Sequence, residues 1–131
     1  MLPVVIGLSV LTAGCTDPVA PAVPTPVAPT ITETFDGTLL VLGANTHPFT
    51  VHQVGGLKVS IANITPSAAV NLGVGTSSIS GCLVISNLTA VASATAQISG
   101  TATVAGTFCV RVSDAGNLVE PVTYTVTVTH S

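Results

Sequence analysis

The chain has 131 residues, 47% of them apolar and 5% charged, with two basic side chains, Lys58 and Arg111, against five acidic ones. That length and apolar content suit one domain with one core and exclude two, and two cations cannot neutralise a run of phosphates, which excludes nucleic acid as a partner. The polar residues are mainly Thr, Ser, Asn and Gly, which favour strands and turns over helices, and no window of helical amphipathicity stands out.

Residues 1–14 read as a signal segment rather than as part of a fold. Leu2 to Leu11 is an apolar run too short to span a bilayer, and Thr12-Ala13-Gly14 places small residues directly before Cys15. LTAGC resembles the lipobox of bacterial lipoproteins, in which the cysteine is diacylated and becomes the mature N-terminus. An ordinary secretory cleavage near Ala13 and an uncleaved anchor are the competing readings. The lipobox implies an address in the bacterial cell envelope, lipid-anchored and extracytoplasmic, with the membrane as a partner through Cys15.

From Cys15 to Thr30 the chain carries prolines at 18, 21, 24, 26 and 29. Proline at this density fixes φ and removes donors, giving an extended tether of ~3.1 Å per residue, hence about 45 Å of reach. A ligand for a proline-reading partner is the alternative. Residues 15–30 are therefore expected to link the lipid to a domain over 31–131.

Within that domain, strand patterns follow one another. Thr34 to Leu42 holds a strand or two short ones; Phe49 and Val51 alternate with Thr50 and His52, and Val54-Gly55-Gly56 is expected to turn the chain. Leu57, Val59 and Ile61 alternate with Lys58, Ser60 and Ala62. Pro66 interrupts, and Val70, Leu72 and Val74 form the next inward set before a predicted loop over Gly75 to Ser78. Cys82 lies in a further strand, and Leu88 to Ile98 reads as one poorer strand, rich in Ala and Ser. Gly106 to His130 is expected to form two strands joined as a hairpin. Phe108, Val110 and Val112 share one face opposite Cys109 and Arg111, and Val122, Tyr124, Val126 and Val128 alternate with four threonines. About eight short strands with turn-bounded spacing predict an all-β, antiparallel two-sheet sandwich, jelly-roll or immunoglobulin-like.

Three cysteines are an odd number for an exported chain. With Cys15 taken as the lipid acceptor, Cys82 and Cys109 remain as a disulfide pair, buried free thiols being the alternative. The parity of Cys109 places the expected bridge near the outer face, stapling neighbouring strands or a loop.

Catalytic chemistry finds little support. His47 and His52 are five apart, so an extended strand points them to opposite faces and they cannot chelate one metal locally. No Ser sits in a nucleophile-elbow pattern, and Gly73-Val74-Gly75-Thr76 lacks the Lys and helix of a phosphate loop. The least implausible ion site is calcium at Asp114, Asn117 and Glu120, but a hard cation wants several carboxylates. The turn Asp114-Ala115-Gly116-Asn117 is instead expected to be structural, Asp114 accepting amide hydrogen bonds and Gly116 and Asn117 being suited to positive φ.

The segments TFDGTL, HPFTV, GTFCVRVSDAGNL and PVTYTVTVTH resemble the bacterial pre-peptidase C-terminal domain family, over roughly Ile31 to His130. The resemblance implies a jelly-roll-like sandwich of secreted proteins without catalytic residues of its own. Some relatives bind collagen or calcium, but Glu33, Asp36, Asp114 and Glu120 are too scattered to carry a calcium set across. The expected function is a noncatalytic, lipid-anchored extracytoplasmic binding or adhesion module, not an enzyme and without a cofactor. The absence of Trp leaves no stacking platform for sugars, so a protein ligand added at a sheet edge is the expected partner. A structural spacer or assembly subunit of the envelope is the alternative.

Overall fold

The computed structural model of the chain describes residues 29–131. The signal segment, Cys15 and all but the last two residues of the tether lie outside the described residues. Eight strands follow: β1 (Ile31–Leu39), β2 (Ala44–Val51), β3 (Gly55–Thr65), β4 (Ala69–Ser78), β5 (Gly81–Val91), β6 (Ala96–Ala102), β7 (Gly106–Ser113) and β8 (Val122–His130). They form two four-stranded antiparallel sheets, ordered β1-β8-β3-β6 and β2-β7-β4-β5. Every connection except β4 to β5 joins strands of different sheets, which makes the sandwich a jelly roll rather than an immunoglobulin-like fold.

The alternation that predicted the strands is what fills the core. Val59 and Ile61 of β3, Val70 and Leu72 of β4, Val110 and Val112 of β7, and Val122, Tyr124, Val126 and Val128 of β8 are all buried between the sheets. Their neighbours in sequence face outward, so β8 pairs its threonines with Thr32, Thr34 and Thr38 of β1 on the solvent side.

Four local expectations are corrected. The last two strands do not form a hairpin: β7 pairs with β2 and β4, whereas β8 pairs with β1 and β3. Their inner faces meet the same core from opposite sides, and residues 114–120 cross from one sheet to the other. Gly55 and Gly56 open β3 instead of turning the chain. Gly55 packs so closely that a Cβ there would lie 2.8 Å from Ser131 Oγ, and the bend falls one step earlier, where the His52 amide donates to the Ser131 carbonyl at 3.0 Å. Gly75 to Ser78 continue β4, and a tight hairpin turns at Ile79-Ser80, with Gly81 at φ 120°. Leu88 to Ile98 is not one strand: β5 ends at Val91, the Ala94 amide bonds to the Val91 carbonyl, and the chain changes sheets before β6.

Candidate functional site

Cys82 and Cys109 are bridged, with an S–S distance of 2.02 Å and Cα atoms 5.8 Å apart. The bridge lies on the outer side, as the parity of Cys109 requires. It does not join paired strands, however: Cys109 is on β7 and Cys82 on β5, and both flank β4. Strands two positions apart in a flat sheet would sit ~9.6 Å from one another. The gap closes because β4 and β5 lose register between Val74 and Gly75, and β5 folds over the glycine. A Cβ on Gly75 would lie 1.8 Å from the Leu83 carbonyl oxygen, so the position that pairs with Cys109 tolerates no side chain.

Beside this staple, the sandwich is open between the free edges of β5 and β6. A cleft of about 190 Å³ lies there, walled by Leu57, Val59, Val74, Ile85, Ile98 and Phe108. β5 presents eleven residues, GCLVISNLTAV, with no charge and no proline; Leu83 and Ile85 are exposed, and Ile85 lines the cleft. Edge strands are ordinarily blunted by Lys or Pro; β5 carries neither, and its irregularity is the one-residue bulge at Ile85.

The opposite open side, between β1 and β2, is closed by polar groups. Gly37 lets the Tyr124 ring lie over β1, for a Cβ at that position would meet Tyr124 Oη at 2.5 Å. The Tyr124 hydroxyl accepts from Asn45 Nδ2 at 3.0 Å and bonds His47 Nε2 at 2.6 Å, while the Asn45 amide also donates to the Thr38 carbonyl. Burial pushes the His47 imidazole below its usual range and the Tyr124 phenol above its own, the latter opposed by the Asn45 bond. With Nε2 unprotonated, His47 can accept a hydrogen bond from the Tyr124 hydroxyl, whose oxygen accepts from Asn45. Phe35 stacks on His47 with ring centroids 5.1 Å apart. Further along, buried His130 places Nε2 2.6 Å from Glu33 Oε2, with Phe49 tilted against its ring. Among the described residues neither histidine bonds a serine, threonine or cysteine side chain. Both pairs satisfy polar atoms at the seam between the sheets.

Asp114 organises the end of the sandwich remote from Thr30. Its Oδ1 accepts from the amides of Gly116 and Asn117 at 2.8 Å and Leu118 at 3.1 Å, and its Oδ2 accepts from the Leu42 amide at 2.7 Å. Its own amide donates to the Gly43 carbonyl. The turn role expected of Asp114 is present, and it extends to a second loop that sequence reasoning did not connect. Of the two candidates for positive φ, Gly116 adopts it, at 103°, and Asn117 does not; the left-handed non-glycine residue in these two loops is Leu42, at φ 58°. A leucine pays strain there. The Leu42 bond, then those from the turn, hold the Asp114 carboxyl below its usual range, partly offset by desolvation. Both carboxylate oxygens are engaged by amides, while Asn117 and Glu120 lie exposed. Among the described residues no three His, Cys, Asp or Glu side chains gather as a metal site. The clamped loops display Leu40, Val41, Leu42 and Val119 to solvent, Leu42 being 78% and Val119 90% exposed.

The sequence signal for this tip is the run TLLVLG, which exceeds what one buried face of β1 can use. The Tyr124–His47 and Glu33–His130 pairs had no such signal, because each joins residues more than seventy positions apart.

No protein-family model and no curated protein matches the chain. Among solved structures it is similar to one described by the words "Bacillus endospore appendages form a novel family of disulfide-linked pili", at 11% identity and a TM-score of 0.42, covering 88% of this chain and 98% of that one. That likeness is too slight to carry a fold or a function across.

Proposed function

We propose that the chain is a noncatalytic binding or adhesion module, held at the outer side of a bacterial membrane through lipidated Cys15, that receives a protein ligand as an added strand at β5. The observation that carries this reading is the uncharged, unpaired edge of β5 beside an apolar cleft. An added strand gains main-chain hydrogen bonds along the edge, and its alternate side chains reach Leu83, Ile85 and the cleft. The disulfide pins the start of β5 to β7, so the edge is ordered before a ligand arrives. The resemblance to pre-peptidase C-terminal domains implies a sandwich of the same kind without catalytic residues.

An assembly subunit of the envelope is the second reading, favoured by the same edge, since two uncharged β5 strands can pair with each other. Photo-crosslinkers placed at the exposed β5 positions Asn87 and Thr89 in membrane fractions distinguish the two. A product of two chains supports assembly, and a heterologous protein product supports ligand binding. Leu83→Lys with Ile85→Lys should abolish either product. Crosslinks that persist in the lysine variant, or a Cys15→Ser chain that stays on the membrane, would refute edge binding and lipid anchoring respectively.

A further inference from the structure

On the outer face of the β2-β7-β4-β5 sheet we infer a second binding site, a notch that takes a carboxylate with an N–H or O–H donor on the adjacent carbon, as in the free C-terminus of a peptide or an α-hydroxy acid. The strand pattern builds it. Val70, Leu72 and Val74 of β4 are buried in the core, so Asn71 and Gly73 face outward. The register sets Gly73 between Arg111 of β7 and Asn87 of β5, and sets Asn71 beside Ser113. A residue without a side chain thus lies between two long polar ones. Val84, carried over β4 by the β5 bulge, closes the row, for a Cβ on Gly73 would lie 2.9 Å from Val84 Cγ1. The hollow so formed has a volume of about 120 Å³ and is lined by these six residues. It shares no lining residue with the apolar cleft between the sheets, so the inference stands apart from strand addition at β5.

Two unmet bonding groups select the ligand. Asn71 Oδ1 is buried and has no hydrogen-bond partner among the described residues. Leaving an acceptor without a donor is costly, and an apolar side chain at this position would avoid the cost. The χ2 torsion of Asn is soft, so the amide can turn this oxygen towards a donor entering the hollow. Arg111 is exposed and has no ion-pair partner among the described residues, in a chain whose only other cation is Lys58. The nearest acid in sequence, Asp114, has both carboxylate oxygens engaged by amides. A guanidinium offers two parallel N–H donors to a planar carboxylate. An acceptor and a double donor around one small hollow call for the complementary pair on the ligand, a donor next to a carboxylate. Size agrees. A cavity of ~150 Å³ admits benzene, so this one holds roughly five non-hydrogen atoms, enough for the carboxylate, its α-carbon and the donor.

The test is titration of the full-length chain in detergent micelles at pH 7, where the probes are ionised, followed by the NMR signals of the Arg111 Nε–H and the Asn71 side-chain amide. N-acetylglycine and glycolate should shift both signals saturably, the tighter of the two identifying the source of the carboxylate. Acetate, which has no donor, should bind about tenfold more weakly, and N-acetylglycinamide, which has no carboxylate, should leave the signals unmoved. Asn71→Ala, read at Arg111, should lower the affinity for the donor-bearing probes to that for acetate and leave acetate binding unchanged. Arg111→Lys keeps the charge, loses the fork and should weaken binding severalfold, whereas Lys58→Gln should change nothing. The probe series on the unmodified chain decides the matter even if a variant fails to fold. Equal affinity for acetate and the donor-bearing probes, shifts caused by N-acetylglycinamide, or no saturable shift with either donor-bearing probe would each overturn the site.

Discussion

Removal of the Cys82–Cys109 bridge offers a prediction whose size follows from the structure. The bridged residues are 27 positions apart, and closing a loop of that length lowers the entropy of the unfolded chain by an amount worth ~3.5 kcal/mol at 25 °C. In a domain of this size such a loss corresponds to a fall in melting temperature of about 15–25 °C. The double variant Cys82→Ala with Cys109→Ala leaves neither half of the bridge as a free thiol and adds a small void where Cys109 is buried beneath the β5 fold-over. Urea unfolding followed by far-ultraviolet circular dichroism reads both the stability and its dependence on denaturant. Stability should fall while the slope with urea steepens, because the unlinked unfolded chain exposes more surface. A loss below ~1 kcal/mol with an unchanged slope would refute the reasoning, and would mean that packing over Gly75 alone holds β5 against β7.

Two further predictions concern single side chains. The Asp114 carboxyl titrates below its ordinary value of 3.8, so its contribution to stability is fully present above that value and is lost as pH falls through the lower folded pKa. Asp114→Asn should therefore melt below the wild type at pH 7 and converge towards it in acid; parallel melting profiles across pH 7 to 2 would exclude the clamp. Gly37→Ala places a methyl group 2.5 Å from Tyr124 Oη and should cost ~1–3 kcal/mol by displacing the ring from Asn45 and His47. Gly56→Ala, where a Cβ meets nothing within 4 Å, is the control, and equal losses in urea titrations would show that the tyrosine does not depend on Gly37.

Period-two alternation carried most of the fold. Leu57-Val59-Ile61, Val70-Leu72-Val74 and Val122-Tyr124-Val126-Val128 were legible as inward faces, because burial on one side of a pleated strand leaves its mark on every second residue. The pairing of Cys82 with Cys109 was legible as well, because setting Cys15 apart as the expected lipid acceptor left two thiols to pair with each other. Alternation reports the surroundings of a face and not the identity of the neighbouring strand. Only the tertiary structure assigned β7 and β8 to opposite sheets and turned an expected hairpin into a crossing between them. It likewise decided that Gly75 underlies a fold-over and Gly37 underlies an aromatic ring, and that Asp114 reaches across 72 residues to hold Leu42 in its strained turn. A jelly roll joins nearly all its sequence neighbours across the core rather than beside one another. The contacts that tie its sheets and far loops together, such as Tyr124–His47 and Asp114–Leu42, are therefore long-range and leave no local trace in the order of residues.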